Sequence, residues 1–104
     1  MIKKEKFQHI MEEFECGEYI ARQIYDISEK LNTENYKYCK LFYDVSDETG
    51  IESISACRGI LLVSRELNNE NYVYCNTIIE YMRENLIYDT IEGEKAYKLE
   101  KEQN

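Results

Sequence analysis

The chain has 104 residues, 43 % hydrophobic and 33 % charged, with a formal net charge of −8, no proline and four glycines. That length supports one core and predicts a single domain over residues 1–104. The hydrophobic fraction excludes a disordered chain, and the missing proline argues against a loop-rich all-β design.

In chain order, Phe7, Ile10, Met11 and Phe14 mark an amphipathic helix over 3–15, with Gly17 as its terminator. Ile20, Ile24, Ile27 and Leu31 recur at spacings of 4, 3 and 4 and predict a helix over 18–31. Asn32-Thr33 then reads as an N-cap, placing Glu34 in the first turn of a helix over 34–46 that carries Tyr36, Cys39 and Tyr43. Thr49-x-x-Glu52 has the form of a capping box and predicts a restart near Gly50 or Ile51, with a helix over 51–67. Its run Ile60-Leu61-Leu62-Val63 predicts the most buried helix of the set. A fifth helix over 70–88 carries Tyr72, Cys75, Ile79, Met82 and Leu86 at spacings of 3, 4, 3 and 4. Residues 89–104 read as a polar tail, with a frayed helix as the alternative. The fold class expected is therefore all-α, about five helices, as a bundle or short stack.

The sequence repeats itself with a period of 36 residues. Aligning 20–45 on 56–81 gives ten identities in 26 positions, densest in LNTENYKYC against LNNENYVYC. Each copy reads as helix, tight turn, helix, so two antiparallel hairpins are expected over 18–46 and 51–88 after the N-terminal helix. In the second copy, Ile60, Val63, Ser64 and Leu67 precede Tyr72, Cys75, Ile79 and Met82. In the first, Ile24, Ile27, Ser28 and Leu31 precede Tyr36, Cys39 and Tyr43. This alternation of large and small residues resembles the tetratricopeptide repeat, a helical-hairpin family, over about half of the chain. The resemblance implies a groove that grips a peptide or protein segment, with no chemistry of its own.

The residues also support several exclusions. Charge follows Met1-Ile2 where an apolar leader would stand, and no apolar run approaches a membrane span, so a soluble cytoplasmic protein is expected. The cysteines, Cys16, Cys39, Cys57 and Cys75, form no CxxC and lack histidine companions, which predicts reduced, buried thiols. His9 has Glu12 and Glu13 at helical spacing, read as a surface ion pair and not a metal ligand. No phosphate-binding glycine loop and no acid/base pair stand out. No enzyme, cofactor or metal is expected.

Between residues 9 and 94 stand 18 acidic and 7 basic side chains. Such a field repels phosphate backbones, so direct nucleic-acid binding is not expected, and it favours a basic partner. One acidic cluster is Glu12, Glu13, Glu15 and Glu18. The other, Asp44, Asp47, Glu48 and Glu52, lies between the repeats, where binding residues often sit. Tyr38 and Tyr74 occur in both copies, turned away from the Tyr36 and Tyr72 stripe, and join that second cluster as candidate partner-binding residues. The leading expectation is a small acidic protein-interaction module. By analogy of size and charge it falls with inhibitors, immunity proteins and phage anti-defence proteins of the anti-CRISPR kind, binding a basic site on a partner. A tetratricopeptide-like adaptor, a self-associating homodimer and a small enzyme or metal-binding protein are the alternatives.

Overall fold

The computed structural model describes residues 2–103, and every regular element among them is a helix: α1 (Lys3–Phe14), α2 (Glu18–Leu31), α3 (Tyr36–Thr49), α4 (Ile54–Leu67), α5 (Tyr72–Glu84) and α6 (Thr90–Gln103). No helix among the described residues is long and apolar enough to cross a membrane. The chain divides into two compact units, one ending at Asp44 and the other beginning at Val45, so α3 contributes to both.

In the first unit the core is Ile10 from α1, Ala21, Ile24 and Tyr25 from α2, and Tyr36 and Cys39 from α3. Phe7, Met11, Phe14, Ile20, Ile27 and Leu31 pack around it, half-buried. The buried face of α2 is Ala21, Ile24, Tyr25 and Ser28, rotated from the Ile20–Leu31 stripe that the aliphatic residues suggest. Small side chains at 21 and 28 let neighbouring atoms come close, and the larger aliphatics flank that seam. The enclosed Ser28 hydroxyl is satisfied, donating to the Tyr25 carbonyl at 2.5 Å.

In the second unit α4, α5 and α6 pack on one another. The interior includes Cys57, Ile60, Val63 and Ser64 of α4, and Tyr72, Cys75 and Ile78 of α5. From α6 it takes Thr90 and Gly93. The 60–63 run is not buried all round: Leu62 is 50 % exposed.

Six helices among the described residues are close to the about five expected, and the additional one is formed by residues 90–103 of the polar tail. Asp89 starts α6, its Oδ1 accepting the Glu92 N–H at 2.9 Å. Asp89-x-x-Glu92 is itself of capping-box form, a signal overshadowed by the polarity of residues 94–104.

The helix ends also differ from their sequence reading. Glu15, in the left-handed region at φ 50°, ends α1 instead of Gly17, which stands as the N-cap of α2. Thr49 does not open a helix. It closes α3, its Oγ1 bonded to the Val45 carbonyl and accepting the Ile51 N–H, while Gly50 turns the chain at φ 77°. Ser53 caps α4 through the Ala56 N–H, so α4 begins at Ile54.

Asn32 and Asn68 are C-caps, at φ 54° and 50°, and not N-caps. Asparagine tolerates the left-handed region because its short amide meets little backbone there. The N–H groups of Thr33 and Asn69 close both ends back onto Ser28 and Ser64, each at 3.0 Å. The N-caps are Asn35 and Asn71, whose Oδ1 atoms accept from the N–H of Tyr38 at 3.1 Å and of Tyr74 at 3.0 Å. Glu34 and Glu70 thus precede their helices. The two turns share these backbone and N-cap hydrogen bonds but differ at the serine, since the Ser64 hydroxyl donates forward to the Asn69 carbonyl at 2.7 Å and the Ser28 hydroxyl back to Tyr25.

Candidate partner-binding surface

Asp47 and Glu48 lie on the last turn of α3 and Glu52 in the connection to α4, and all three are exposed. None of them forms an ion pair among the described residues. The last turn of α3 contains no basic residue. A helix C-terminus carries the negative end of the macrodipole and favours cations. Asp47 and Glu48 are therefore at the end of the helix where their charge is least welcome. Asp44 differs: it is half-buried and held by Lys40 at 2.7 Å, one helical turn back.

Tyr38 and Tyr74 occupy equivalent positions but meet different neighbours. Tyr38 is half-buried and stands edge-on to Phe42, ring centroids 5.0 Å apart. Tyr74 is tied to α6: its hydroxyl donates to Glu94 at 2.7 Å and its ring lies 6.2 Å from that of Tyr97. Tyr97 also stacks edge-on against Tyr81 at 5.5 Å. The third helix of this unit thus holds Tyr74 through contacts that no spacing rule in the hairpin could show.

Burial, then the hydrogen bond to Glu94 and the carboxylate's charge, push the Tyr74 phenol from 10.0 up to about 12. A phenol with a raised folded-state pKa adds stability that is complete below its unfolded value and disappears as the pH climbs through the folded one. Stability should therefore fall between pH 10.0 and about 12, and Tyr74→Phe should flatten the fall in that window. Urea denaturation of both proteins across this range, with phenolate absorbance followed in parallel, measures it. Equal slopes would show that other groups cause the loss.

All four cysteines are free thiols; Cys39, Cys57 and Cys75 are buried, and Cys16 is half-buried. Burial pushes the Cys39 and Cys75 thiols up, away from the nucleophilic thiolate. In the first unit, His9 pairs with Glu13 at 3.2 Å, and Glu18 with Arg22 at 3.7 Å. Lys6 reaches Glu34 at 3.2 Å across a polar cleft of about 450 Å³ also lined by Tyr25, Ser28, Thr33 and Tyr36. No spacing in the sequence marks this cleft, since its walls come from separate segments of the chain.

Compared with protein-family models, with curated proteins and with solved structures, the chain matches none.

Proposed function

We propose that the chain is a non-enzymatic protein-interaction module that binds a basic site on another protein, acting as an inhibitor or antagonist of the immunity or phage anti-defence type. The observation that carries this reading is the set Asp47, Glu48 and Glu52: exposed, without an ion pair among the described residues, and in two cases set against a helix dipole. Charges that the fold would be better off without are suited to attract a partner's cations and to speed encounter. The net charge of −8 reinforces that field. Asp44 contributes less, since Lys40 neutralises it.

The test is a tagged chain used as bait in a lysate of its host, at low and high salt, beside the triple variant Asp47→Lys, Glu48→Lys, Glu52→Lys. A basic protein retained at low salt, released at high salt and not captured by the variant is the expected result. The variant should fold at least as well as the parent, because cations at 47 and 48 match the α3 dipole, worth about 0.3–1 kcal/mol each at an exposed helix end. Capture undiminished by the three reversals would defeat this reading of the patch.

A second reading, a tetratricopeptide-like adaptor made of a duplicated antiparallel hairpin, is supported by the equivalent N-cap hydrogen bonds at Asn35 and Asn71 in the two turns. Such an adaptor holds its peptide at high salt. Because Tyr74 is engaged by Glu94, Tyr38→Ala is the informative variant for that groove.

A further inference from the structure

A second feature of the α3-to-α6 unit costs the fold something and returns nothing to it. Leu86 follows the end of α5 with φ 55°, in the left-handed region. The turn requires that conformation: the Ile87 N–H reaches back to the Met82 carbonyl at 2.9 Å, and the Asn85 N–H to Tyr81 at 3.0 Å. Glycine or asparagine fills such a position at least strain, and this chain uses asparagine for it at Asn32 and Asn68. Glu15, the remaining non-glycine case, at least leaves a charged side chain in water. At 86 a bulky leucine takes the strain and is also 74 % exposed, so it gains little from burial. Two residues on, Tyr88 is 90 % exposed.

Both side chains stand at an apolar groove of about 340 Å³ whose walls are Val63 of α4 and Ile79, Met82 and Ile87. Arg83 is its one cationic lining residue. Close by in the chain lie the exposed carboxylates Glu80, Glu84 and Asp89. Three acids against one base leave the 79–89 segment at −2. Among the described residues neither Glu84 nor Asp89 is in an ion pair. The trough is apolar, its segment is negative and the whole chain is at −8, which makes its complement a helix that is apolar on one face and basic on the flanks.

We propose that this groove, with Leu86 and Tyr88 at its mouth, is a docking site for the apolar face of a basic amphipathic helix. The proposal rests on the reading of a basic partner and names the part of that partner that is gripped. Leu86 then acts as an anchor: it is held out by the turn and is buried only when the partner arrives.

The test uses the full chain, isotope-labelled for NMR and titrated at physiological salt with a synthetic leucine–lysine peptide of about four helical turns. A leucine–glutamate peptide of the same pattern is the control. Shifts should centre on Ile79, Met82, Leu86, Ile87 and Tyr88, and the control should leave them in place. Leu86→Gly should weaken binding by about tenfold or more, while its Tm equals or exceeds that of the parent, since glycine relieves the left-handed strain. Tyr88→Ser gives a second variant at a side chain with almost no fold contacts, and it should also weaken binding.

Shifts confined to Asp47, Glu48 and Glu52 would overturn the groove while leaving the basic-partner reading intact. Absence of any shift, or equal binding of the acidic peptide, would overturn it as well. Concentration-dependent self-association abolished by Leu86→Gly would assign the groove to a second copy of this chain instead.

Discussion

Ile60→Ala is expected to destabilise the unit from Val45 onward by about 3 kcal/mol, the middle of the range for removing an enclosed aliphatic side chain. Leu62→Ala, two residues on, should cost less than about 0.5 kcal/mol. The two side chains have nearly the same volume, and they lie in the same helix and the same apolar run. They differ in direction. Ile60 is 1 % exposed, on the face of α4 shared with Cys57, Val63 and Ser64, whereas Leu62 is 50 % exposed on another face. Urea denaturation of both variants measures the contrast, and an unchanged m-value would show that the unfolded state is the same in each. Equal losses at 60 and 62 would mean that Leu62 is covered in solution, by self-association or by a different packing of α4.

That pair also shows what a hydrophobic run conceals. Periodicity located α2, α4 and α5 within a few residues, because in a proline-free chain an apolar spacing of 3 and 4 marks a helix face. It did not fix which face is innermost. In α2 the seam lies on Ala21 and Ser28, which carry little hydrophobic signal. Of the α5 stripe predicted through Leu86, Tyr72 and Cys75 are buried, Ile79 and Met82 are half-buried, and Leu86 lies beyond the helix; the buried Ile78 stands outside that stripe.

The helix ends were the least legible part, for a specific reason. Asparagine serves both as an N-cap and as a left-handed C-cap, and each turn has one in each role, Asn32 with Asn35 and Asn68 with Asn71. Composition shows that a turn is there. Only the backbone shows that the first asparagine ends a helix and the second begins one. Thr49 misled in the same way, since its hydroxyl bonds back to Val45 instead of forward into a new helix.

Of the candidate site residues, the sequence placed Asp47, Glu48 and Glu52 between the repeats, whereas α3 runs on to Thr49, so Asp47 and Glu48 are helical and Glu52 lies in the connection. The sequence could not reveal that Lys40 neutralises Asp44 or that Glu94 holds Tyr74, because each partner had to be found in space. Leu86 was hidden more completely. Its spacing from Met82 made it look like one more core residue, and nothing in the residue types alone separates a leucine at the end of an apolar stripe from one held outward in a left-handed turn.

The contact between α5 and α6 provides the other large expected effect. Gly93 is buried, and a Cβ built on it would collide with the Met82 Cγ and lie 2.8 Å from its Sδ. The Cγ is not the far end of the side chain, so relief needs a change of the whole Met82 rotamer or a shift of α6. Gly93→Ala should raise intrinsic helix propensity by up to about 1 kcal/mol, so a net loss has to come from overpacking, which typically costs about 1–3 kcal/mol. We expect a net loss of about 1 kcal/mol, read as a fall in Tm of roughly 4–8 °C for a domain of this size. Met82→Ala removes the Cγ and, in the double variant, should recover most of that loss, giving a coupling of about 1 kcal/mol between the two sites. Displacing α6 should also weaken the grip of Glu94 on the Tyr74 hydroxyl, so in Gly93→Ala the phenol should ionise below the value of about 12 that it has in the parent. A Gly93→Ala protein more stable than the parent, with Tyr74 unmoved, would mean that α6 is not seated on Met82. The polar segment after Asp89 would then owe its helix to local propensity instead of packing.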